Sequence, residues 1–104
     1  MSVAAIFEKL KDNFNSSAAD GLDLVFQFDI EDGDNYYLEI KDGACNLAQG
    51  DSGEPSVTLI MNTETLQGIV SGETDGMQAF MAGQLRAEGD MMLATKLGEL
   101  FNIG

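Results

Sequence analysis

The sequence predicts an α+β fold: an about five-stranded, mainly antiparallel sheet with helices packed on one of its faces. Two features of the residue pattern carry that expectation. Between Leu22 and Met61 apolar residues recur with a period of two, the spacing of strands that bury one face. Before and after that span the period is 3.6, and Gly, Asp and Asn punctuate the changes. Strands gathered in one run and helices in others describe a sheet covered by helices, not alternating βα units.

Residues 2 to 14 read as an amphipathic helix, with Ser2 as N-cap and Val3, Ile6, Phe7, Leu10 and Phe14 on one face. Glu8, Lys9, Lys11 and Asp12 occupy the other. That polar face is not basic-rich, so the helix is expected to cover the sheet, not to lie on a membrane. Asn15 to Gly21 is a loop by composition. Leu22 to Ile30 alternates most cleanly, with Leu22, Leu24, Phe26, Phe28 and Ile30 on one side and Asp23, Gln27 and Asp29 on the other, Val25 being the exception. Glu31 to Asp34 turns the chain into a strand from Tyr36 to Lys41, and Asp42-Gly43 is a hairpin signal leading to Ala44 to Gln49. After the loop Gly50 to Pro55, Val57, Leu59 and Met61 mark a fourth strand, read as the last member of an antiparallel meander. Asn62 or Thr63 caps a helix whose face is Leu66, Ile69 and Val70 and whose stop is Gly72. Asp75 caps another, with Gln78 in the capping-box position and Met77, Phe80 and Met81 forming one apolar face before Gly83. Gln84 to Glu88 alternates as a last strand, Leu85 and Ala87 sharing a side. Gly89 turns, Asp90 caps, and Leu93, Leu97, Leu100 and Phe101 line the closing helix.

At 104 residues the chain is read as one domain, residues 1–104, burying roughly two-thirds of its unfolded surface without metals or disulfides. No apolar run approaches the ~20 residues of a membrane span. No basic segment leads into an apolar one near the N-terminus, so no secretory signal is expected. Cys45 is the one cysteine. With no second thiol to pair and no His to activate it, it is read as a small buried or half-buried strand residue in a reducing compartment. Eighteen acidic residues against five basic ones give a formal charge of −13. That field repels nucleic-acid phosphates and anionic lipid surfaces, and it keeps a small protein dispersed. Nucleic acid is therefore not expected as a partner, and membrane contact is expected to be transient at most.

Catalytic and cofactor motifs are missing. The chain has no His, no Gly-rich phosphate loop and no metal-ligand spacing. Asp29, Glu31, Asp32 and Asp34 crowd one turn, but the twelfth position from Asp29 is Ile40, so an EF-hand reading fails and a solvated tip is expected. No enzyme activity, cofactor or metal is expected. What stands out is a set of soft apolar residues: Met61, Met77, Met81, Met91 and Met92 are five of the six methionines. Such a set either fills an irregular small core or forms a surface that accepts varied apolar shapes, and the residues alone leave both open.

A short helix, then Gly83-x-Leu85-x-x-x-Gly89-Asp90, then a Met- and Leu-rich closing helix with Ala94, Lys96 and Leu97 resembles the sterol carrier protein 2 lipid-binding domain. Upstream, Pro55 to Met61 followed by Glu64 to Gly72 looks like the strand and helix ahead of that motif. The resemblance implies helices and sheet enclosing an apolar tunnel, which binds a sterol, fatty acid or other lipid tail non-covalently, with or without transfer. Strand residues Phe26, Phe28, Leu38, Leu59 and Leu85 would line it. Met77, Phe80, Met81, Met92, Leu97, Leu100 and Phe101 would complete it from the helices. Arg86, the only basic residue between Lys41 and Lys96, is the candidate for a carboxylate or phosphate head group. A surface ion pair with Glu88 or a neighbour across the sheet is the alternative for it. Better-known members carry lysines along the last strand where this chain has Gln84, Arg86 and Glu88, which disfavours acyl-CoA. Phe101 to Gly104 lacks a Ser-Lys-Leu type ending, so a stand-alone cytoplasmic protein is expected. The other role the resemblance allows is an accessory subunit recruiting a protein partner, for example around quinone metabolism, or a homodimer.

Overall fold

The computed structural model describes residues 2–101. Its elements are α1 (Val3–Asp12), β1 (Leu24–Ile30), β2 (Tyr36–Lys41), β3 (Ala44–Gln49), β4 (Val57–Met61), α2 (Thr63–Ser71), α3 (Gly76–Met81), β5 (Arg86–Gly89) and α4 (Met91–Phe101). Local chemistry sets their ends. Ser2, Asn62, Asp75 and Asp90 each accept a backbone N–H at the start of a helix, from Ala5, Thr65, Met77 and Met92 at 2.8–3.2 Å. Gly72 ends α2 in the left-handed region, φ +86°. Asp42 and Gly43 take φ +54° and +74°, the paired positive values that a two-residue hairpin needs to match strand twist.

The strands form one sheet in the order β3-β2-β1-β4-β5. β1–β2, β2–β3 and β4–β5 are antiparallel. β4 departs from the expected meander: it runs parallel to β1, with Phe28 opposite Leu59 and Ile30 opposite Met61. Residues 50–56 are the cause. They do not turn back along β3 but cross the face of β1 opposite the helices, tied down by Gln27. Its Nε2 donates to Gly50 O (3.1 Å) and its Oε1 accepts from Ser52 N (2.6 Å). Ser56 then brackets Val25, its N donating to Val25 O (2.9 Å) and its Oγ accepting from Val25 N (3.1 Å). Gln27, expected on a solvated side, is therefore 3% exposed, and its amide is satisfied as a buried polar group must be.

Phe26, Phe28, Leu38, Ile40, Val57 and Leu59 make the apolar face of the sheet, and the helices cover it. α1 inserts Phe7 between Phe28 (centroids 5.0 Å, edge-on) and Tyr36 (4.8 Å). α4 brings in Leu100 and Phe101, the latter 5.7 Å from Phe14. Each of these fully buried side chains stabilises the fold by about 1.5–3 kcal/mol relative to exposure. Cys45 is buried as expected, and desolvation, only partly opposed by the Lys11 charge, pushes its thiol up to about 11.

Candidate functional site

The apolar residues singled out in the sequence divide into three groups by position. Phe26, Phe28, Leu38, Leu59, Leu100 and Phe101 are together in one core cluster, none more than 1% exposed. Leu85 and Leu97 are half-buried and pack against its margin. Met77, Phe80, Met81 and Met92 are exposed, at 56%, 40%, 80% and 76%. The side chains of Met91 and Ala94, and residues 102–104 of the expected C-terminal ending, lie outside the described residues.

The exposed group is built by α3. Its stripe of Met77, Phe80 and Met81 was expected to pack inward, but the helix touches the core through Ala79, 1% exposed, and turns the stripe to solvent. The reason is backbone anchoring. Ala79 O accepts both Gln84 N (2.9 Å) and Leu85 N (3.1 Å), and Gly83 at φ +81° folds the chain back beneath the helix. With Ala79 held at the returning chain, the small face goes in and the large face out.

Arg86 and Leu85 stand on successive positions of an extended segment, so they point to opposite faces of the sheet. Leu85 and Ala87 meet the core, whereas Arg86 is exposed and pairs with Glu31 at 3.3 Å. Both partners are more than half exposed, which makes this a weak surface pair. A second cation neighbours one exposed methionine. Lys96 lies one helical turn beyond Met92 and is half-buried. The i, i+4 spacing of Met92 and Lys96 is the sequence signal that places the two side by side.

The acidic turn has a structural purpose. Asp32 accepts from Thr63 N and Thr63 Oγ1, both at 2.8 Å, which clips the β1–β2 turn to the first residue of α2. The backbone hydrogen bond, then the hydroxyl bond, hold its carboxyl below the usual value. Among the described residues no three His, Cys, Asp or Glu side chains converge to hold a metal ion. A cleft of about 710 Å³ at the end of the sheet where β1 begins is lined by Ser16, Ser17, Asp20, Asp23, Lys41 and Asp42 among others. Hydroxyls and charges of that kind suit no apolar chain.

The SCP-2 sterol transfer family profile matches residues 4–102, and the chain belongs to that family. Among similar proteins is hydroxysteroid dehydrogenase-like protein 2 of Bos taurus, 32% identical over 104 residues. The match takes in 97% of this chain and 25% of that protein, so the chain spans about a quarter of the length of that relative. The palmitated SCP2L2 of Aedes aegypti, known from solution NMR, is 27% identical with a TM-score of 0.74 over 97% of this chain and 95% of its own. The sec-alkylsulfatase Pisa1 of Pseudomonas sp. shares the fold at 20% identity and TM-score 0.87, over 97% of this chain and 16% of the sulfatase. No helix among the described residues is long and apolar enough to cross a membrane.

Proposed function

We propose that this chain binds an extended apolar molecule, a fatty acid or sterol-like lipid, non-covalently where α3 and α4 meet the edge of the sheet. The outward stripe of α3 carries the reading. Single exposed apolar residues are ordinary, but three large ones on one face of a short helix form a patch of the kind that marks ligand or partner contact. The ligand lies along that stripe and extends to the half-buried Leu85, Ala87 and Leu97 at the margin of the core. Covering Met77, Phe80 and Met81 supplies about 3–5 kcal/mol, on top of the ligand's own burial at ~25 cal/mol per Å².

No proton transfer, nucleophile or redox group takes part, and the role is carriage, not catalysis. Lys96 orients a carboxylate or other acidic head group, because it stands beside Met92, whereas Arg86 is engaged with Glu31 across the sheet. Family membership and the palmitate carried by the Aedes aegypti relative support a lipid ligand. The buried, unactivated Cys45 fits a reducing, cytoplasmic setting.

Native mass spectrometry of freshly purified protein, with solvent extraction of what is released on denaturation, tests the proposal first. A stoichiometric lipid mass is the expected result, followed by saturable binding of the fluorescent probes cis-parinaric acid and dehydroergosterol. A bare protein mass together with no binding of either probe up to ~100 μM, about a hundredfold above a micromolar Kd, overturns it.

A further inference from the structure

Side chains open to oxidation are unevenly placed in this molecule. The chain contains no Trp and no His, so the methionines and Cys45 are its soft targets for a peroxide. Cys45 is withdrawn from that chemistry by burial, and the same desolvation keeps its thiol from ionising near neutral pH. Met61 is 2% exposed on β4, inside the core cluster. The other methionines whose side chains are described stand on the surface: Met77 and Met81 on α3, and Met92 on α4.

Met77 and Met81 are placed as a pair. They stand at i and i+4 of α3, one helical turn apart, with Phe80 on the same face. Ala79 is the buried residue of that helix, so the contact with the core is made without either sulfur. A hydroperoxide converts a thioether in one two-electron step. The sulfur lone pair attacks the hydroxyl-bearing oxygen and the O–O bond breaks. An S=O bond forms as the hydroxyl proton passes to the departing oxygen, which leaves as water or an alcohol. Sulfur is oxidised and the peroxide reduced, with no further co-reactant. The product is polar and chiral where the thioether was apolar. At an exposed position water solvates the new oxygen. Beneath an apolar ligand that water is lost and nothing in the ligand's chain donates in its place, a costly exchange.

We propose that Met77 and Met81 form a modification site at which a hydroperoxide switches off lipid binding along α3 and leaves the fold intact. The site rests on the exposure of the two sulfurs, and its consequence rests on the lipid reading of that face. Sulfoxides on an exposed stripe are within reach of methionine sulfoxide reductases, so the change is reversible. The shielded sulfurs of Cys45 and Met61 confine the response, because an oxidant reaches the ligand face before it reaches the core.

Limited treatment of the full-length protein with hydrogen peroxide, stopped with catalase, tests this. Peptide mass spectrometry should find one added oxygen at Met77 and at Met81 about tenfold or more sooner than at Met61. Titration with cis-parinaric acid should then give a Kd at least about tenfold weaker than that of untreated protein. The urea midpoint should stay within about a tenth of its untreated value, because both oxidised positions are exposed. Methionine sulfoxide reductases of both epimer specificities should restore the untreated Kd. In Met77→Leu/Met81→Leu, which keeps apolar bulk and removes both sulfurs, peroxide should change the Kd by less than about threefold, whatever its starting value. Oxidation of Met61 at the rate of Met81, or treated protein that binds within about twofold of untreated, overturns the switch. So does an equal peroxide response of the double variant, or lost affinity that comes with a lowered urea midpoint. Untreated protein that binds no probe removes the lipid reading and the switch with it, whereas binding that survives oxidation removes the switch alone.

Discussion

Met81→Ser separates a ligand surface from a core more cleanly than any substitution in the core itself. Met81 is 80% exposed without ligand, so about a fifth of its side chain contributes to folding. At ~1.5–3 kcal/mol for a fully buried side chain, its removal costs the free protein well under 1 kcal/mol. A ligand lying along the outer face of α3 covers the remainder, and losing that contact costs about 1–2 kcal/mol of binding, or roughly five- to thirtyfold in Kd. Leu100→Ala reverses the ratio. Its side chain is 1% exposed, so the substitution costs about 2–5 kcal/mol of stability and disturbs binding only through the fold. Urea denaturation gives the first quantity for both variants, and fluorescence titration with cis-parinaric acid gives the second. A Met81→Ser variant that binds within twofold of the parent, or loses more than ~2 kcal/mol of stability, refutes the assignment of α3 as ligand contact.

Gly89→Ala is expected to cost about 2–5 kcal/mol: strain at φ +97° plus a Cβ 2.9 Å from Ser56 O and 3.3 Å from Val57 Cα, both backbone atoms. Gly72→Ala, at φ +86° with open space around it, should cost only the strain, about 1–2 kcal/mol, and calorimetry that finds the two melting shifts equal would remove close approach as the reason for glycine at 89. Asp32 has a lowered pKa when folded, so its contribution is present above the ordinary value of 3.8 and is lost as pH falls through the folded value. Asp32→Asn should therefore be less stable than the parent near pH 6, with the difference closing as both are titrated below pH ~4 in parallel urea melts. The Cys45 thiol, raised to about 11, should react slowly with Ellman's reagent at pH 8 and rapidly once the protein is unfolded, where its value returns to 9.0; fast reaction of the native protein would contradict its burial.

What could be read from the sequence was whatever depends on neighbours in the chain. Asp42-Gly43 announces its own hairpin because its conformation is decided within two residues, and Ser2, Asn62, Asp75 and Asp90 cap helices by reaching two or three residues ahead. Alternation from Leu22 to Ile30 likewise identified the apolar face of β1, which begins at Leu24. Gln27 failed for the opposite reason: what buries it is a segment more than twenty residues later, and its polar side chain in an alternating strand reads as solvated until that segment is in place. The same crossover makes β4 parallel to β1, since a chain leaving β3 over the face of β1 re-enters the sheet at the opposite end. Glu31 as the partner of Arg86, and Thr63 as the partner of Asp32, are contacts of that long-range kind.

The candidate site shows a different limit, and it is physical. A binding surface and a core use the same residues at the same spacing, because both must be apolar along one face of a helix. The stripe of Met77, Phe80 and Met81 satisfies either use. The decision is made by Ala79, whose carbonyl takes two backbone donors from the returning chain and whose small side chain allows that close return. Here the turn at Gly83 follows two residues after Met81 and fixes the helix before its large face can rotate inward. The apolar area left outside is a cost the free protein carries, and a ligand that covers it returns that energy as affinity.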